Sequence, residues 1–192
     1  INVDSAYLHG FEVAFQQHFT SLPGLLSGTG LSANYAFTNS QITIPPPTST
    51  STGLNRAIGD PHPPLLRQAP NTFNVSPTYD KRGLSVRLGI TYQQAFIDFY
   101  NYDDSNLGPI TQGGGGGGLK GPNGDNYFYT HLQVDLQGTY QLKKGFSVVG
   151  YGLNLNNEVF GFYQGSTIYP VQREFYRQTF GGGLRWSPSR EH

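Results

Sequence analysis

The sequence predicts an all-β fold: an antiparallel up-and-down meander of about seven long strands that forms part of a transmembrane β-barrel. Three observations support this prediction. Apolar and polar residues alternate over long stretches, and short connections alternate with long ones. No segment of useful length keeps the 3.6-residue apolar period of a helix. Such a pattern is typical of strands that are joined in turn at opposite ends of a sheet.

Seven segments have the composition or alternation of a strand, and many of them are long. A globular strand usually has about 5 or 6 residues, whereas a tilted strand that crosses a bilayer needs about 9 to 11. The predicted strands cover approximately residues 8 to 19, 30 to 44, 71 to 79, 84 to 101, 127 to 142, 146 to 158 and 171 to 187.

The alternation is clearest in the second, fourth and fifth predicted strands. In the fourth, "GLSVRLGITYQQAFIDFY", every second position from Leu84 to Tyr92 is apolar, and the positions between them are mostly polar. Residues 31 to 38 and 132 to 140 follow the same rule. Because successive side chains of a strand point to opposite faces, each of these strands has one apolar and one polar face.

The connections alternate in length along the chain. The first, third and fifth contain the short stretches "TSLPGLLSG", "DKRG" and "KKG". The second, fourth and sixth are long and cover about residues 45–70, 102–126 and 159–170. All long loops should therefore leave one end of the sheet, as outer loops do in barrels with short periplasmic turns. A Greek-key sandwich would not produce this order so regularly.

The composition indicates which face of the sheet is wet. Charged residues make up 12% of the chain, about half the usual share in soluble domains. The polar strand faces are rich in amides and hydroxyls, which suits a hydrated lumen and leaves the apolar faces for lipid. The predicted lumen-facing polar residues are Asn34, Asn74, Arg87, Gln133, Asp135, Gln137 and Arg185. Aromatic residues near strand ends, predicted to mark the lipid–water boundary, are Phe19, Tyr79, Phe128, Tyr129, Phe146 and Trp186.

Several classes of function are disfavoured by the sequence. The 12 basic and 12 acidic residues balance, so nothing in the charge attracts nucleic acid. Cysteine is absent and the five histidines have no ligand spacing, so we expect no metal site and no cofactor. The run Gly113 to Gly118 has neither the strand nor the helix of a phosphate-binding loop, and the acidic residues near it lack EF-hand spacing. No catalytic triad can be defined, and we predict that the chain is not an enzyme.

The last third of the chain resembles the closing strands of TonB-dependent outer-membrane receptors. The similar stretches are "LQVDLQGTYQLKKGFSVVGYGLNLNNEVFGFYQG" and "REFYRQTFGGGLRWSP". In that family a strand ends near the motif "NLxNE", and a long loop and a final aromatic-ended strand follow. The matching residues are Asn154, Leu155, Asn157 and Glu158. The first strands, "LHGFEVAFQQHFTSLPGLLSGTGLSANYAFTNS", also resemble a repeated pattern of the family.

The resemblance implies a barrel of 22 strands, of which residues 1–192 would be the C-terminal segment. It also implies a plug domain and upstream strands outside this chain, and a short N-terminal box that engages TonB. The protein would then lie in the cell outer membrane, in contact with lipid, and take up a scarce solute such as a siderophore, a vitamin or an oligosaccharide. The lumen-facing polar residues would contact the plug or the passing ligand.

The final strand also resembles a signal for the barrel-assembly machinery. In "TFGGGLRW", the residues Thr179, Gly181, Leu184 and Trp186 fit the pattern polar-x-Gly-x-x-apolar-x-apolar. By parity, Trp186 and Leu184 should face lipid, and Arg185 should face the lumen. The tail "SPSREH" departs from the family, which usually ends at the aromatic residue.

Two other classes of protein fit the same alternation. A soluble β-sandwich for adhesion or carbohydrate binding would pack its apolar faces on each other. A porin-like barrel without a plug would place them in lipid. The first alternative predicts a compact domain that folds alone in water, whereas an isolated piece of a barrel should be unstable because its first and last strands are unpaired edges.

Overall fold

The structure, a computed structural model, describes residues 5–43, 62–100, 102–103, 118–119 and 124–187. In these residues the chain is all-β and its strands pair antiparallel, which confirms the predicted fold class at that level. The strands are β1 (Ser5–His18), β2 (Thr29–Thr43), β3 (Asn71–Lys81), β4 (Leu84–Gln93), β5 (Phe96–Phe99), β6 (Tyr102–Asp103), β7 (Gly118–Leu119), β8 (Asn126–Phe128), β9 (His131–Gln141), β10 (Phe146–Leu153), β11 (Val159–Gln164), β12 (Pro170–Phe175) and β13 (Thr179–Trp186).

Seven of these strands form the main sheet, in the order β1-β2-β3-β4-β9-β10-β13. Each pairs with the strand before it in this order, so the sheet is an up-and-down meander. β1 and β13 lie at the two edges of this sheet. Their outer backbone groups have no strand partner within the described residues.

The short connections lie at one end of the main sheet, as the sequence predicts. Arg82 and Gly83 form a two-residue turn between β3 and β4, and both have positive φ angles, 54° and 78°. This is the combination that suits a tight hairpin. Lys144 and Gly145, with φ angles of 62° and 77°, make the same change of direction between β9 and β10. The longer first connection contains a short 3-10 turn, Gly24–Gly28.

A second sheet of four strands, in the order β5-β8-β11-β12, continues four strands of the main sheet. The predicted strands 84 to 101, 127 to 142 and 171 to 187 are therefore each divided in two, and the boundaries at 101, 127 and 142 shift by one or two residues. Breaks near residues 94–95, 129–130 and 176–178 separate the parts. Sequence alternation continues across a break of two or three residues, so it did not reveal the change of sheet.

Residues 159–170 correct a prediction of the sequence. They were expected to form a long outer loop, but Val159–Gln164 is strand β11, which pairs with β12 through a turn at Gly165–Tyr169. The predicted strand 146 to 158 ends instead at Leu153. Of the other two predicted loops, residues 45–61, 104–117 and 120–123 lie outside the described residues, as do residues 44 and 101 at the ends of the preceding predicted strands. Within residues 102–126 the structure describes two pairing residues each in β6 and β7, and the strand β8 begins at Asn126.

Residues 62–70 bridge the two sheets beside β2. The amide of Ile42 donates to the Pro63 carbonyl at 2.9 Å, and the amide of Arg67 donates to the Ile97 carbonyl at 2.8 Å. Leu65 packs against Ile42, one of two buried hydrophobic residues in the described part of the chain, the other being Ile97. This segment thus takes the position of a strand between the C-terminal part of β2 and β5.

The pairing register gives the main sheet one apolar and one polar face. One row across five strands reads Val13, Tyr35, Phe73, Tyr92 and Leu132. The adjacent row, on the opposite face, reads Ala14, Asn34, Asn74, Thr91 and Gln133. The apolar face carries many exposed large side chains, among them Tyr7, Phe11, Val13, Phe15, Leu84, Leu132, Leu136, Tyr140, Phe146, Val148, Phe180, Leu184 and Trp186.

Candidate functional site

The polar face of the main sheet carries all seven residues that the sequence predicts to face the lumen. Asn34, Asn74 and Gln133 share one row, and Arg87 lies directly opposite Gln137 in the β4–β9 pair. Asp135 pairs with Gly89 and Arg185 pairs with Ser147, which places both on the same face. The seven residues therefore share a face, and six of them lie close together on β2, β3, β4 and β9.

A pocket of about 450 Å³ lies on this polar face. Its lining residues come from five consecutive strands of the main sheet, from β2 to β10. Most of the lining side chains are amides, hydroxyls or charged groups, in contrast to the opposite face. The lining residues are Asn34, Asn74, Ser76, Arg87, Gly89, Thr91, Asp135, Leu136, Gln137 and Leu153. Five of the seven predicted lumen-facing residues line the pocket, whereas Gln133 and Arg185 do not.

The two charged residues of the pocket differ in their hydrogen bonds. The side-chain amide of Gln133 donates to both oxygens of Asp135, at 2.9 and 3.0 Å, and the backbone amide of Asn154 donates to Oδ1 at 2.8 Å. Arg87 donates from Nη2 to the Ser76 hydroxyl at 3.1 Å. No ion pair joins Arg87 to Asp135 in the described structure. The Asp135 carboxylate thus accepts hydrogen bonds from Gln133 and Asn154, and the Arg87 guanidinium faces the pocket with N–H donors that remain unused.

The four residues of the predicted assembly signal lie on β13, divided between the two faces. Trp186 pairs with Phe146, and their ring centroids are 6.2 Å apart, while Leu184 pairs with Val148 on the same apolar face. Thr179 and Gly181 lie on the polar face. Trp186 and Leu184 therefore share the apolar face, and their contact with lipid stays a prediction.

Gly181 has a packing role that the motif alone does not reveal. The ring of Tyr151 on β10 lies over it, in space that a Cβ at position 181 would occupy. Gly181 and Tyr151 are direct partners in the β10–β13 register. The glycine therefore allows an aromatic side chain of the neighbouring strand to cover the backbone of the edge strand.

The family-like motif "NLNNE" forms the turn between β10 and β11. Asn154 and Asn157 have positive φ angles of 55° and 52°, a conformation that Asn tolerates better than most residues. The Asn154 side chain accepts from the Glu158 amide at 2.7 Å and donates to the Arg177 carbonyl at 3.1 Å. Leu155 lies against Gly152. The motif therefore closes a turn, and the strand β11 rather than a long loop follows it.

This turn also adds length to one strand crossing. Fifteen residues separate Ser147 from Phe162, but thirteen separate their respective partners, Gln141 and Phe128. The extra two residues are accommodated at Asn154–Glu158, where β10 ends and β11 begins. The turn acts as a bulge that lets the second sheet pair in a shifted register.

Asn156 is a residue that the sequence reasoning missed, since it occupies the variable position of the motif. Its side chain mimics a strand partner of β9: Oδ1 accepts from the Val134 amide at 3.0 Å, and Nδ2 donates to the Leu132 carbonyl at 2.5 Å. Nδ2 also lies 3.3 Å from a carboxylate oxygen of Glu158. The other Glu158 oxygen is 3.8 Å from the buried Nδ1 of His131. The run of three consecutive polar residues was the signal that could have identified it.

Aromatic rings concentrate in the second sheet. Tyr163 stacks on Tyr127 with centroids 5.2 Å apart and lies 4.7 Å from Tyr129, while Arg173 lies over the Tyr129 ring at 5.9 Å. Partial burial, and then the neighbouring Tyr129, raise the pKa of Tyr163. Phe128 contacts other rings on β5 and β11. The predicted boundary residues Phe128 and Tyr129 therefore belong to an aromatic cluster beyond the main sheet.

Metal ligands and membrane-spanning helices can be assessed only in the described residues. Within them, no group of three or more His, Cys, Asp or Glu side chains could hold a metal ion. The glycine run apart from Gly118, and the oxygen-bearing residues Asp104 and Asn106 that were weighed as calcium ligands, lie outside the described residues. The described part of the chain contains no helix long and apolar enough to cross a membrane.

The chain was compared with protein families, with curated proteins and with solved structures. No family model, no curated protein and no solved structure matches it. The resemblance to TonB-dependent receptors therefore stays a prediction from the sequence motifs.

Proposed function

We propose that this chain is part of the wall of an outer-membrane β-barrel of the TonB-dependent receptor type, which takes up a scarce solute. The observation that carries the proposal is the two-faced main sheet. Its apolar face continues across all seven strands, while amides, hydroxyls and a few charges predominate on the opposite face. A bilayer outside and water inside is the environment that satisfies both faces.

The exposure of the apolar face supports a lipid contact over the sandwich alternative. In a β-sandwich this face would be packed against a second sheet and would form the core. In the described residues Leu184 is 75% exposed and Phe180 is 72% exposed. Only Ile42 and Ile97 are buried hydrophobic residues there, and Ile42 lies on the polar face. An apolar surface of this extent in water would promote association.

The arrangement of the turns also supports the proposal. Tight turns at Arg82–Gly83 and Lys143–Gly145 lie at one end of the sheet, and the second sheet extends it at the other. This asymmetry is typical of barrels with short periplasmic turns and long outer hairpins. Under the proposal, the remaining strands, the plug domain, the TonB box and the barrel-assembly machinery are the protein partners, and no nucleic acid is involved.

The test is the location and barrel state of the full-length protein. It should appear in outer-membrane fractions and migrate faster on unboiled than on boiled gels, as intact barrels do. Recovery of the full-length protein as a detergent-free soluble monomer would exclude this function. The porin-like alternative predicts the same location but uptake that does not depend on TonB, so loss of uptake in a TonB-deficient strain separates the two.

A matched pair of variants on β4 makes the test specific to the two faces. Leu88 lies on the apolar face and Thr91 on the polar face of the same strand. A lysine at a lipid-facing site costs about 2–4 kcal/mol near the bilayer midplane, whereas lumen sites tolerate charge. Leu88→Lys should reduce the heat-modifiable form strongly, and Thr91→Lys should leave it nearly unchanged. Equal effects of the two substitutions would contradict the assignment of the faces.

A further inference from the structure

The polar pocket holds a cationic group that the fold does not use fully. A guanidinium has five N–H donors, and the hydrogen bond observed for Arg87 uses one nitrogen, Nη2, which donates to Ser76 at 3.1 Å. Arg87 is exposed and lines the pocket, so the remaining donors can reach its interior. A planar guanidinium with free donors is well suited to hold a carboxylate through two parallel hydrogen bonds.

The negative charge of the pocket does not cancel this preference. Asp135 accepts three hydrogen bonds from Gln133 and Asn154, which stabilise its ionised form without the help of Arg87. The carboxylate oxygens of Asp135 therefore already accept hydrogen bonds from other residues of the protein. The pocket therefore offers an incoming ligand one positive group and no equally free negative one among its described lining residues.

The rest of the lining indicates the body of the ligand. Asn34, Asn74, Thr91 and Gln137 supply both donors and acceptors, and Leu153 supplies the main apolar contact. Hydroxyl groups, which donate and accept, match such a lining better than an apolar body does. The volume of about 450 Å³ is within the range of roughly 300–1,000 Å³ that holds small-molecule ligands.

We propose that this pocket binds a carboxylate-bearing, hydroxyl-rich solute of the sugar-acid class, with Arg87 holding the carboxylate. The amides and hydroxyls around it bind the hydroxyl groups of the solute. As the substrate class of the transported solute, this inference rests on the proposed function. As a binding site, it rests on the pocket alone.

Gly89 provides a way to fill the pocket without disturbing the fold. It lies at the pocket between Arg87 and Thr91, and the nearest atoms to a Cβ at this position, Cβ and the carbonyl oxygen of Asp135, are 3.9 Å away. This is an ordinary van der Waals distance, and Gly89 does not have a positive φ angle. A larger side chain at position 89 would therefore extend into the pocket with little strain on the strand.

The experiment is a ligand-observed NMR titration of the full-length protein in detergent, with D-glucuronate and D-glucose as probes. These differ in one carboxylate. Wild-type protein should bind glucuronate at least tenfold more tightly than glucose. Arg87→Gln removes charge-assisted hydrogen bonds to the carboxylate, so it should weaken glucuronate binding about 10- to 100-fold and weaken glucose binding far less. Arg87→Lys should give an intermediate loss, and Gly89→Leu should weaken the binding of both probes.

Arg185→Gln is the matched control, because Arg185 lies on the same polar face but outside the pocket. It should change glucuronate binding less than twofold. Equal wild-type affinity for the two probes, or equal losses in Arg87→Gln and Arg185→Gln, would overturn the inference. Heat modifiability of each variant verifies that it is folded.

The two proposals fail independently. A membrane-located, heat-modifiable protein whose glucuronate binding ignores Arg87 refutes the pocket assignment alone. A soluble protein that binds glucuronate through Arg87 refutes the outer-membrane function and retains the site.

Discussion

Replacing Asn156 by Ala should loosen the junction between the two sheets at β9. The substitution removes two hydrogen bonds to the β9 backbone, from the Val134 amide at 3.0 Å and to the Leu132 carbonyl at 2.5 Å. A net contribution of about 0.5–1.5 kcal/mol each amounts to about 1–3 kcal/mol. Asn156 is exposed, so water can reach the freed groups. We therefore expect the substitution to destabilise the junction by about 1–2 kcal/mol, the lower part of this range.

Hydrogen exchange of the full-length protein measures this local effect. A loss of about 1–2 kcal/mol corresponds to roughly 5- to 30-fold faster exchange of the Val134 amide, provided that exchange proceeds by local opening. Asn156→Asp loses the donor to Leu132 and adds a negative charge near Glu158, but it keeps an oxygen acceptor for Val134. Because the acceptor is kept, the effect of this substitution on exchange at Val134 should be smaller than that of Asn156→Ala.

Asn39→Ala serves as the control for this experiment, because it removes an exposed amide from β2. It should change exchange at Val134 less than twofold. Unchanged protection of Val134 in a folded Asn156→Ala variant would refute the argument that this side chain replaces a strand partner. A similar acceleration in Asn39→Ala would attribute the effect to a general loss of stability.

Three further predictions concern the last strands. Trp186→Ala combined with Leu184→Ala should lower the outer-membrane level of the full-length protein several-fold without abolishing synthesis, and unchanged levels on immunoblots would remove the assembly role. Gly181→Val should displace the Tyr151 ring that lies over it and reduce the heat-modifiable fraction, whereas Gly181→Val combined with Tyr151→Ala should recover part of it; no recovery would contradict a steric cause. Hydrogen bonds, first from the Tyr176 hydroxyl and then from the Gln172 amide, lower the pKa of Glu174 from its ordinary value of 4.5. The stability that this carboxylate contributes is therefore present above pH 4.5 and is lost as the pH falls through the lowered pKa. Exchange protection of β12 should therefore decrease on acidification below pH 4.5, and Glu174→Gln should abolish that part of the decrease.

Alternation made the two faces of the main sheet predictable. The parity of residues 84 to 92 assigns each side chain to a face without knowledge of any neighbouring strand, because the period of a strand is a property of its own backbone. The positions of the tight turns were predictable for a similar reason. Gly83 and Gly145 adopt positive φ angles that glycine allows at little cost, and the preference is local.

The candidate site was predictable in membership but not in its internal arrangement. Parity placed Arg87 and Asp135 on one face, with Gln133 two residues before Asp135 on the same strand, yet nothing local indicates that Asn154 also donates to the carboxylate while Arg87 bonds to Ser76 and remains available. The hydrogen bonds of Asn154 and Arg87 depend on which residues of separate segments lie side by side. The pairing register decides this, and it couples residues that are distant along the chain.

What the sequence by itself determined is thus the strand character, the two faces and the tight turns, since each follows from the chemistry of a few adjacent residues. Only the tertiary structure decided where four strands break and continue in a second sheet, and that "NLNNE" is a turn followed by β11. The breaks occur where Asn154, Asn156 and Thr130 bond to other segments. A side chain can take the place of a strand partner only when the strand that it bonds to has been brought beside it. This happens when the whole sheet has formed.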